Sequence, residues 1–381
     1  MVLFGADLVA EFENLFTGRM ALLTGPSGRT SGNVPTIDVL KQCCNLQLLL
    51  APEHGVRGDK AAGALFADEI DESSGLPVRS LYTRDSKRLS RETLALFDTL
   101  VYDIADVGCR YYTFLTTLRY CIEDCAAAGK RLVVLDRPNP LGDRVEGGIV
   151  RPDVISFVGG YEMPVCYGLT CGELAEMMNR ELHCGCDLHI VPCAGLTRSM
   201  TFRDWGHCWV MPSMGIPRFE TALLYPGTCL IEGTNCSEGR GTGDPFGIIG
   251  APFIQAEAFC KAFNALGCPG LEATPVYFTP TASKHQGVLC GGIQLHILNE
   301  TVLEPVAMGV RLLDLLRRMY PKDFAFLPPV REDGKIFLSL LAGHRDFEKP
   351  DWDADALLAR YAEESARFRP RKAAYERYPK E

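Results

Sequence analysis

The chain has 381 residues, 47% hydrophobic and 23% charged, with a formal net charge of −9. That balance fits a globular protein of one large or two smaller domains, whose core needs neither disulfide nor metal. The acidic charge excludes the basic face of a nucleic-acid binder, and no apolar run approaches the ~20 residues that span a bilayer.

Four short apolar runs come first, each ending in a polar cluster. Residues 19–23 end at Thr24-Gly25 and residues 46–50 at Ala51-Pro52-Glu53-His54-Gly55; residues 100–104 end at Asp106-Val107-Gly108 and residues 131–135 at Asp136-Arg137-Pro138-Asn139. Continuous apolar runs of this length predict parallel strands covered on both faces. Helical spacing fills the intervals: residues 36–43 after Pro35, a segment capped by Ser90 and running to Phe97, and Tyr111, Leu115, Leu118, Ile122 and Cys125 with Gly129 as the stop. Thr170-Cys171-Gly172-Glu173 is a capping box that opens a helix to about Leu182, and a strand-like run follows at 188–191. Beyond Pro217 the periodicity loosens, and Gly and Pro become frequent from Pro226 to Pro252. A strand at 292–298 and helices at 304–319 and 353–368 complete the reading. The alternation predicts an α/β fold: a Rossmann-like, mostly parallel sheet domain over residues 1–215, followed by a smaller α+β domain over 216–381 that completes a cleft.

Ligands of open α/β sheets bind outside the carboxyl ends of the strands, so the post-strand clusters are read as one site. Glu53, between Pro52 and Gly55, can be held partly away from water as a general acid requires; the rival reading makes it a turn residue and His54 a satisfied hydrogen-bonder. Asp103, Asp106, Arg110 and Tyr111 form a second group. They are either a structural brace or a contact surface, with the Arg110 guanidinium suited to a carboxylate. Arg137 and Asn139 lie in a rigid turn, and Glu146 follows close behind. Glu232, Asn235, Glu238 and Arg240, interleaved with glycines, form the strongest cluster of the second half, because backbone and side chains can approach one ligand there. A phosphate cradle is its rival, but neither G-x-x-x-x-G-K-[ST] nor a strand–helix G-x-G-x-x-G is present. Residues 183–189 (His-Cys-Gly-Cys-Asp-Leu-His) have zinc-like spacing, yet Gly185 reads as a helix stop and His189 as a strand residue, so no metal is assigned. No G-x-S-x-G elbow and no Cys-x-x-Cys occur.

The 16 cysteines include Cys43, Cys44, Cys121, Cys125 and Cys260 in apolar runs, where a thiol acts as a small hydrophobe. They are expected to be free thiols in a reducing compartment. Residues 1–14 carry Asp7, Glu11 and Glu13 and no basic segment before an apolar one, so the expected location is cytoplasmic.

Together these segments resemble a known family. Residues 50–58 (Leu-Ala-Pro-Glu-His-Gly-Val-Arg-Gly), 103–113 (Asp-Ile-Ala-Asp-Val-Gly-Cys-Arg-Tyr-Tyr-Thr), 135–140 (Leu-Asp-Arg-Pro-Asn-Pro), 225–242 and 290–294 (Cys-Gly-Gly-Ile-Gln) match its motifs in order. They are similar to the bacterial exo-β-N-acetylmuramidases of the NamZ type. The resemblance implies a glycoside hydrolase that releases N-acetylmuramic acid from the non-reducing end of peptidoglycan fragments. It implies a Rossmann-like domain, a smaller second domain, a cleft between them, and no cofactor. It makes Glu53 the candidate acid; the second carboxyl that glycosidases use is assigned to Glu232, with Glu238 and Asp103 behind it. A lactyl carboxylate on the sugar calls for an arginine, for which Arg57, Arg110 and Arg240 are candidates. The expected partner is a muropeptide or muramyl disaccharide, with no nucleic acid or membrane. The chain departs from the family pattern at Gly25, Ala105, Tyr167, Gly215 and Gly247, where polar side chains are usual. The alternatives are a non-catalytic muropeptide- or sugar-binding protein and a phosphosugar-handling enzyme.

Overall fold

The computed structural model describes residues 1–60, 67–82, 86–329 and 334–381. The chain enters the sheet at β1 (Met20–Thr24) and passes through α1 (Thr36–Cys43) to β2 (Leu46–Ala51). Then come β3 (Glu69–Ile70), β4 (Pro77–Ser80), α2 (Arg91–Leu94), β5 (Thr99–Asp103), α3 (Phe114–Ala128) and β6 (Arg131–Leu135). A two-stranded ribbon, β7 (Val145–Glu146) with β8 (Cys166–Tyr167), precedes α4 (Cys171–Glu181) and β9 (Asp187–Val191). The seven-stranded sheet runs β3-β4-β2-β1-β5-β6-β9, parallel except for β3 against β4. Every residue of β1 and β5 is buried, as expected for strands covered on both faces. The fold is therefore the α/β, Rossmann-like architecture read from the sequence.

The local signals act where they stand. Ser90 caps α2 by accepting from the Thr93 amide, although α2 ends at Leu94, short of the expected Phe97. Gly129 ends α3 in the left-handed conformation at φ 61°. The Thr170–Glu173 capping box forms completely. Asp136, at the end of β6, lies against the same helix start, accepting from the Gly172 amide at 2.7 Å and the Thr170 hydroxyl at 2.8 Å. A Cβ on Gly172 would stand 2.7 Å from the Asp136 carboxyl carbon, so this helix start tolerates no side chain there.

The second half holds α5 (Phe219–Thr228), β10 (Ile248–Ala251), α6 (Ala256–Asn264), β11 (Leu271–Phe278), β12 (Cys290–Ile297), α7 (Pro305–Met319), α8 (Phe337–Ala342) and α9 (Ala354–Ala373). Its sheet is antiparallel, in the order β10-β12-β11. Helix α5 lies where the sequence shows no periodicity. Every one of its residues except Glu220 is buried, so it presents no amphipathic stripe. It also carries Pro226 in its last turn and packs against α7 through Gly227 and Gly309, where a Cβ on Gly309 would meet the Gly227 carbonyl oxygen at 2.4 Å. The glycine that looks like a breaker is there for backbone contact. Helix α9 runs beyond the expected 368 to Ala373 and returns to the first sheet, where Tyr378 donates to Asp136. Among the described residues no helix is long and apolar enough to cross a membrane, and all sixteen cysteines are unpaired thiols.

Candidate active site

A cleft of about 550 Å³ is walled from both halves of the chain. Glu53 and His54 reach it from the turn after β2, and Tyr111, Tyr112, Thr113 and Phe114 from the start of α3. Tyr225, Cys229 and Glu232 come from α5 and the 3-10 turn Cys229–Gly233; Glu238, Arg240 and Phe246 come from the following loop, and Lys284 from the β11–β12 connection. The cleft thus brings together six of the sequence candidates: Glu53, His54, Tyr111, Glu232, Glu238 and Arg240.

Their geometry separates into two carboxylate stations. Glu53 accepts a hydrogen bond from the Thr113 hydroxyl at 2.7 Å through Oε2. His54 stands beside it, its Nδ1 3.3 Å from the Lys60 carbonyl oxygen and its ring edge-on to Phe114. In the second station Arg240 donates from Nε (2.9 Å) and Nη2 (2.7 Å) to one oxygen of Glu232. The other Glu232 oxygen has only the Cys229 thiol, at 3.6 Å. Burial raises the proton affinity of Glu232, opposed by the Arg240 charge and reinforced by Glu238. Glu238 is 2% exposed and paired with Lys284 at 2.9 Å. Lys284 also donates to the Ile231 and Thr234 carbonyls, which ties the loop to the turn that carries Glu232. Among the cleft-lining aromatics, Tyr112 lies edge-on to Phe114 and Tyr225, and Tyr225 edge-on to Phe246, a buried cluster that makes the cleft wall rigid and apolar.

The other candidates are placed elsewhere, and each placement has a physical reason. Arg57 forms a two-pronged pair with Asp71, at 2.8 and 2.7 Å. Asp103 is fully buried, held by Arg137 and by the Thr36 hydroxyl, so it braces β5 to the start of α1 and to the loop after β6. Arg110 does not reach the cleft. Its guanidinium is fully buried and donates to the Gly148, Met163 and Leu341 carbonyls at 2.7–2.8 Å. Asn139 bridges the Leu169 carbonyl and the Leu141 amide. Asn235 fixes the backbone of residues 323–325, accepting from the Ala325 amide and donating to the Asp323 carbonyl. Asp106 takes the Gly108 amide and the Tyr167 hydroxyl on one oxygen and, with Arg137, borders a separate small recess.

Glu146 accepts from the Ala307 amide at 2.9 Å, so it caps the start of α7 from 161 residues away. Burial pushes its pKa from 4.5 up to about 7. Between those values the folded chain holds a proton that the unfolded chain has released. This group's stabilising contribution is therefore complete below pH 4.5 and is lost as pH rises through about 7. At ~1.4 kcal/mol per pKa unit the ceiling is about 3 kcal/mol. Glu146→Gln keeps the acceptor and removes the titration, so it should flatten the decline of melting temperature between pH 5 and 7 in calorimetry; an unaltered slope would count against this assignment.

The five family departures are also placed. A Cβ on Gly25 would face open space, one on Gly215 would lie 3.1 Å from Arg240 Nη1, and one on Gly247 would clash with the Asp244 carboxylate at 2.4 Å. Ala105 borders the small recess, and Tyr167 donates to Asp106. Thr113, Tyr112, Phe246 and Lys284 were not named as site residues from sequence. The first two lie inside the 103–113 motif, whose named site residues stopped at Tyr111; Lys284 sits in a loop with no pattern to mark it.

Comparison with known proteins decides the family. The model of the N-terminal part of exo-β-N-acetylmuramidase NamZ matches residues 20–220, and the model of its C-terminal part matches residues 223–378. The chain belongs to the NamZ exo-β-N-acetylmuramidase family. A relative named peptidoglycan β-N-acetylmuramidase NamZ, from Bacillus subtilis (strain 168), is 42% identical over 324 residues, covering 84% of this chain and 78% of that one. Two DUF1343-family proteins of Bacteroides fragilis NCTC 9343 have crystal structures that share the NamZ-type fold. One has TM-score 0.89 at 31% identity, with 99% of both chains covered; the other has TM-score 0.78 at 29% identity, with both chains covered fully.

Proposed function

We propose that this NamZ-family chain is an exo-acting glycosidase that releases N-acetylmuramic acid from the non-reducing end of peptidoglycan fragments, with Glu53 and Glu232 as its catalytic carboxyls. The observation that carries the reading is the pair of carboxylates facing one aromatic-lined cleft, one contributed before residue 215 and one after it. We read residues 1–215 and 216–381 as the two units that close on the substrate.

Glu53, held by a neutral hydroxyl, protonates the leaving oxygen as general acid. Glu232, kept in place by Arg240, faces the sugar from the other wall and stabilises positive charge as the glycosidic bond breaks. Among the arginines weighed for the lactyl carboxylate, Arg57 and Arg110 are spent elsewhere, while Arg240 lines the cleft with its Nη1 turned towards Gly215. Arg240, with Lys284 nearby, is the anion-recognising side of the site. The sixteen unpaired thiols support a reducing, cytoplasmic setting in which imported fragments are the substrate.

The test is specificity. Disaccharides identical except for a lactyl group on the non-reducing sugar should differ at least ten-fold in kcat/KM in favour of the lactylated one, since one charge-assisted hydrogen bond is worth roughly 1.5–3 kcal/mol. Equal rates on both would remove Arg240 from substrate recognition, and cleavage only at internal bonds would overturn the exo assignment.

A further inference from the structure

Thr113 stands at the N-cap of α3, where a threonine hydroxyl ordinarily accepts from a backbone amide of the first turn. It makes no such bond. Its hydroxyl turns instead to Glu53 and donates to Oε2 at 2.7 Å. A local rule of helix starts is thus broken beside the candidate acid, which is where such departures concentrate.

Thr113 is itself held by a buried pair. Thr117, one turn further on and on the same face of α3, directs its hydroxyl proton to the Thr113 carbonyl at 3.2 Å. Having one proton to give, it accepts from the Tyr82 hydroxyl, which lies 2.9 Å away. Tyr82 is 5% exposed and Thr117 1%. Burial pushes the Tyr82 phenol well above its ordinary range, so it stays a donor. The sheet explains why these groups meet. β2 and β4 are parallel neighbours in which Ala51 pairs with Ser80, and the Leu81 amide donates to the Ala51 carbonyl at 3.0 Å. Glu53 and Tyr82 each lie two residues beyond that last pair, so the two strands deliver both to the start of α3.

We propose that Thr113 is the positioning residue of the general acid: it fixes Oε2 of Glu53 so that Oε1 holds the proton towards the substrate, and the Tyr82–Thr117 pair keeps Thr113 in place. This rests on the reading of Glu53 as the acid. The proton passes from Oε1 to the glycosidic oxygen as the bond to the sugar carbon breaks and its electron pair stays on that oxygen. Glu53 gains negative charge in the same step. The Thr113 hydroxyl then donates to a carboxylate instead of a neutral acid, and such charge-assisted bonds are roughly twice as strong. A bond that strengthens towards the transition state raises kcat, whereas one equally strong in the ground state does not.

Thr113→Val keeps the shape of the side chain and removes the hydroxyl. On a muramyl disaccharide it should lower kcat by about ten- to hundred-fold, with KM and melting temperature close to those of the wild type. On a dinitrophenyl glycoside, whose leaving group needs no proton, the deficit should shrink to a few-fold. Thr113→Ser should restore most of the rate on the disaccharide. Tyr82→Phe should show the same leaving-group dependence at about three- to ten-fold. In a Glu53→Gln background, Thr113→Val should add no further loss, because the two groups act as one unit. Equal losses on both substrates, no rescue by serine, or losses that multiply with Glu53→Gln would make Thr113 a merely structural helix residue and overturn the proposal. Wild-type kcat in Tyr82→Phe would overturn the part given to the buried pair. If Thr113→Val melts early, Thr113→Ser and Tyr82→Phe carry the same comparison. A wild type that turns over neither substrate fails the glycosidase reading and this inference with it; an active wild type matched by Thr113→Val on the disaccharide overturns this inference alone.

Discussion

Glu53→Gln is expected to lower kcat by about 10²- to 10⁴-fold, the range removed with a general acid, while KM and melting temperature stay close to those of the wild type. Glutamine keeps the shape of the side chain and an oxygen that can accept from the Thr113 hydroxyl, so the 2.7 Å contact and the turn after β2 survive. What disappears is the transferable proton. Steady-state kinetics on a muramyl disaccharide, with thermal melting as the folding control, checks this directly. An activity within a few-fold of the wild type would remove Glu53 from the chemistry. A leaving group that needs no protonation offers a finer check: on a dinitrophenyl glycoside the deficit of Glu53→Gln should shrink markedly, because the acid's contribution is no longer required. Glu232→Gln should behave differently. Its loss should persist on the activated substrate, since its charge acts on the sugar and not on the leaving oxygen, and Arg240 would lose its ionic partner.

Asp103→Ala is expected to cost about 3–5 kcal/mol of stability, the usual consequence of stripping one partner from a buried ion pair. Asp103 is 0% exposed, and removing it would leave the Arg137 guanidinium buried without its counter-charge and the Thr36 hydroxyl without its acceptor. Chemical denaturation should show the loss as a lower midpoint. The fraction that remains folded should retain wild-type kcat, because Asp103 does not border the cleft. A stable Asp103→Ala variant with abolished turnover would show that this carboxylate belongs to the catalytic machinery after all. The two substitutions therefore predict opposite patterns: activity lost without stability at Glu53, and stability lost without activity at Asp103.

That contrast also explains how far the sequence could be read. β1, β2, β5 and β6 were legible because a strand covered on both faces is a continuous apolar run, and α4 because its capping box is a local hydrogen-bond pattern. Helix α5 was not, since burial on nearly every side erases the amphipathic period and the Gly227–Gly309 contact is set by a partner helix 82 positions away. The same limit governs the site. A polar residue just after a strand looks alike whether it faces a ligand or braces the fold. Glu53 and Arg110 were both read as site residues on that ground, but only Glu53 borders the cleft. The deciding partner of Arg110 is the Leu341 carbonyl, that of Asp136 is Tyr378 and that of Glu146 is the Ala307 amide, all far along the chain. The cluster around Glu232 was legible as a whole, because charged residues among closely spaced glycines mark a loop that several groups can share. Even there Asn235 turned inward to hold residues 323–325.

The most direct test of the account is the time course of products from a disaccharide with N-acetylmuramic acid at its non-reducing end, followed by mass spectrometry with purified wild-type protein. The account predicts steady release of free N-acetylmuramic acid and its partner sugar in equal amounts, suppressed at least a hundred-fold in Glu53→Gln. Intact disaccharide after prolonged incubation, with calorimetry showing that it binds, would contradict catalysis and leave the cleft as a sugar-binding site.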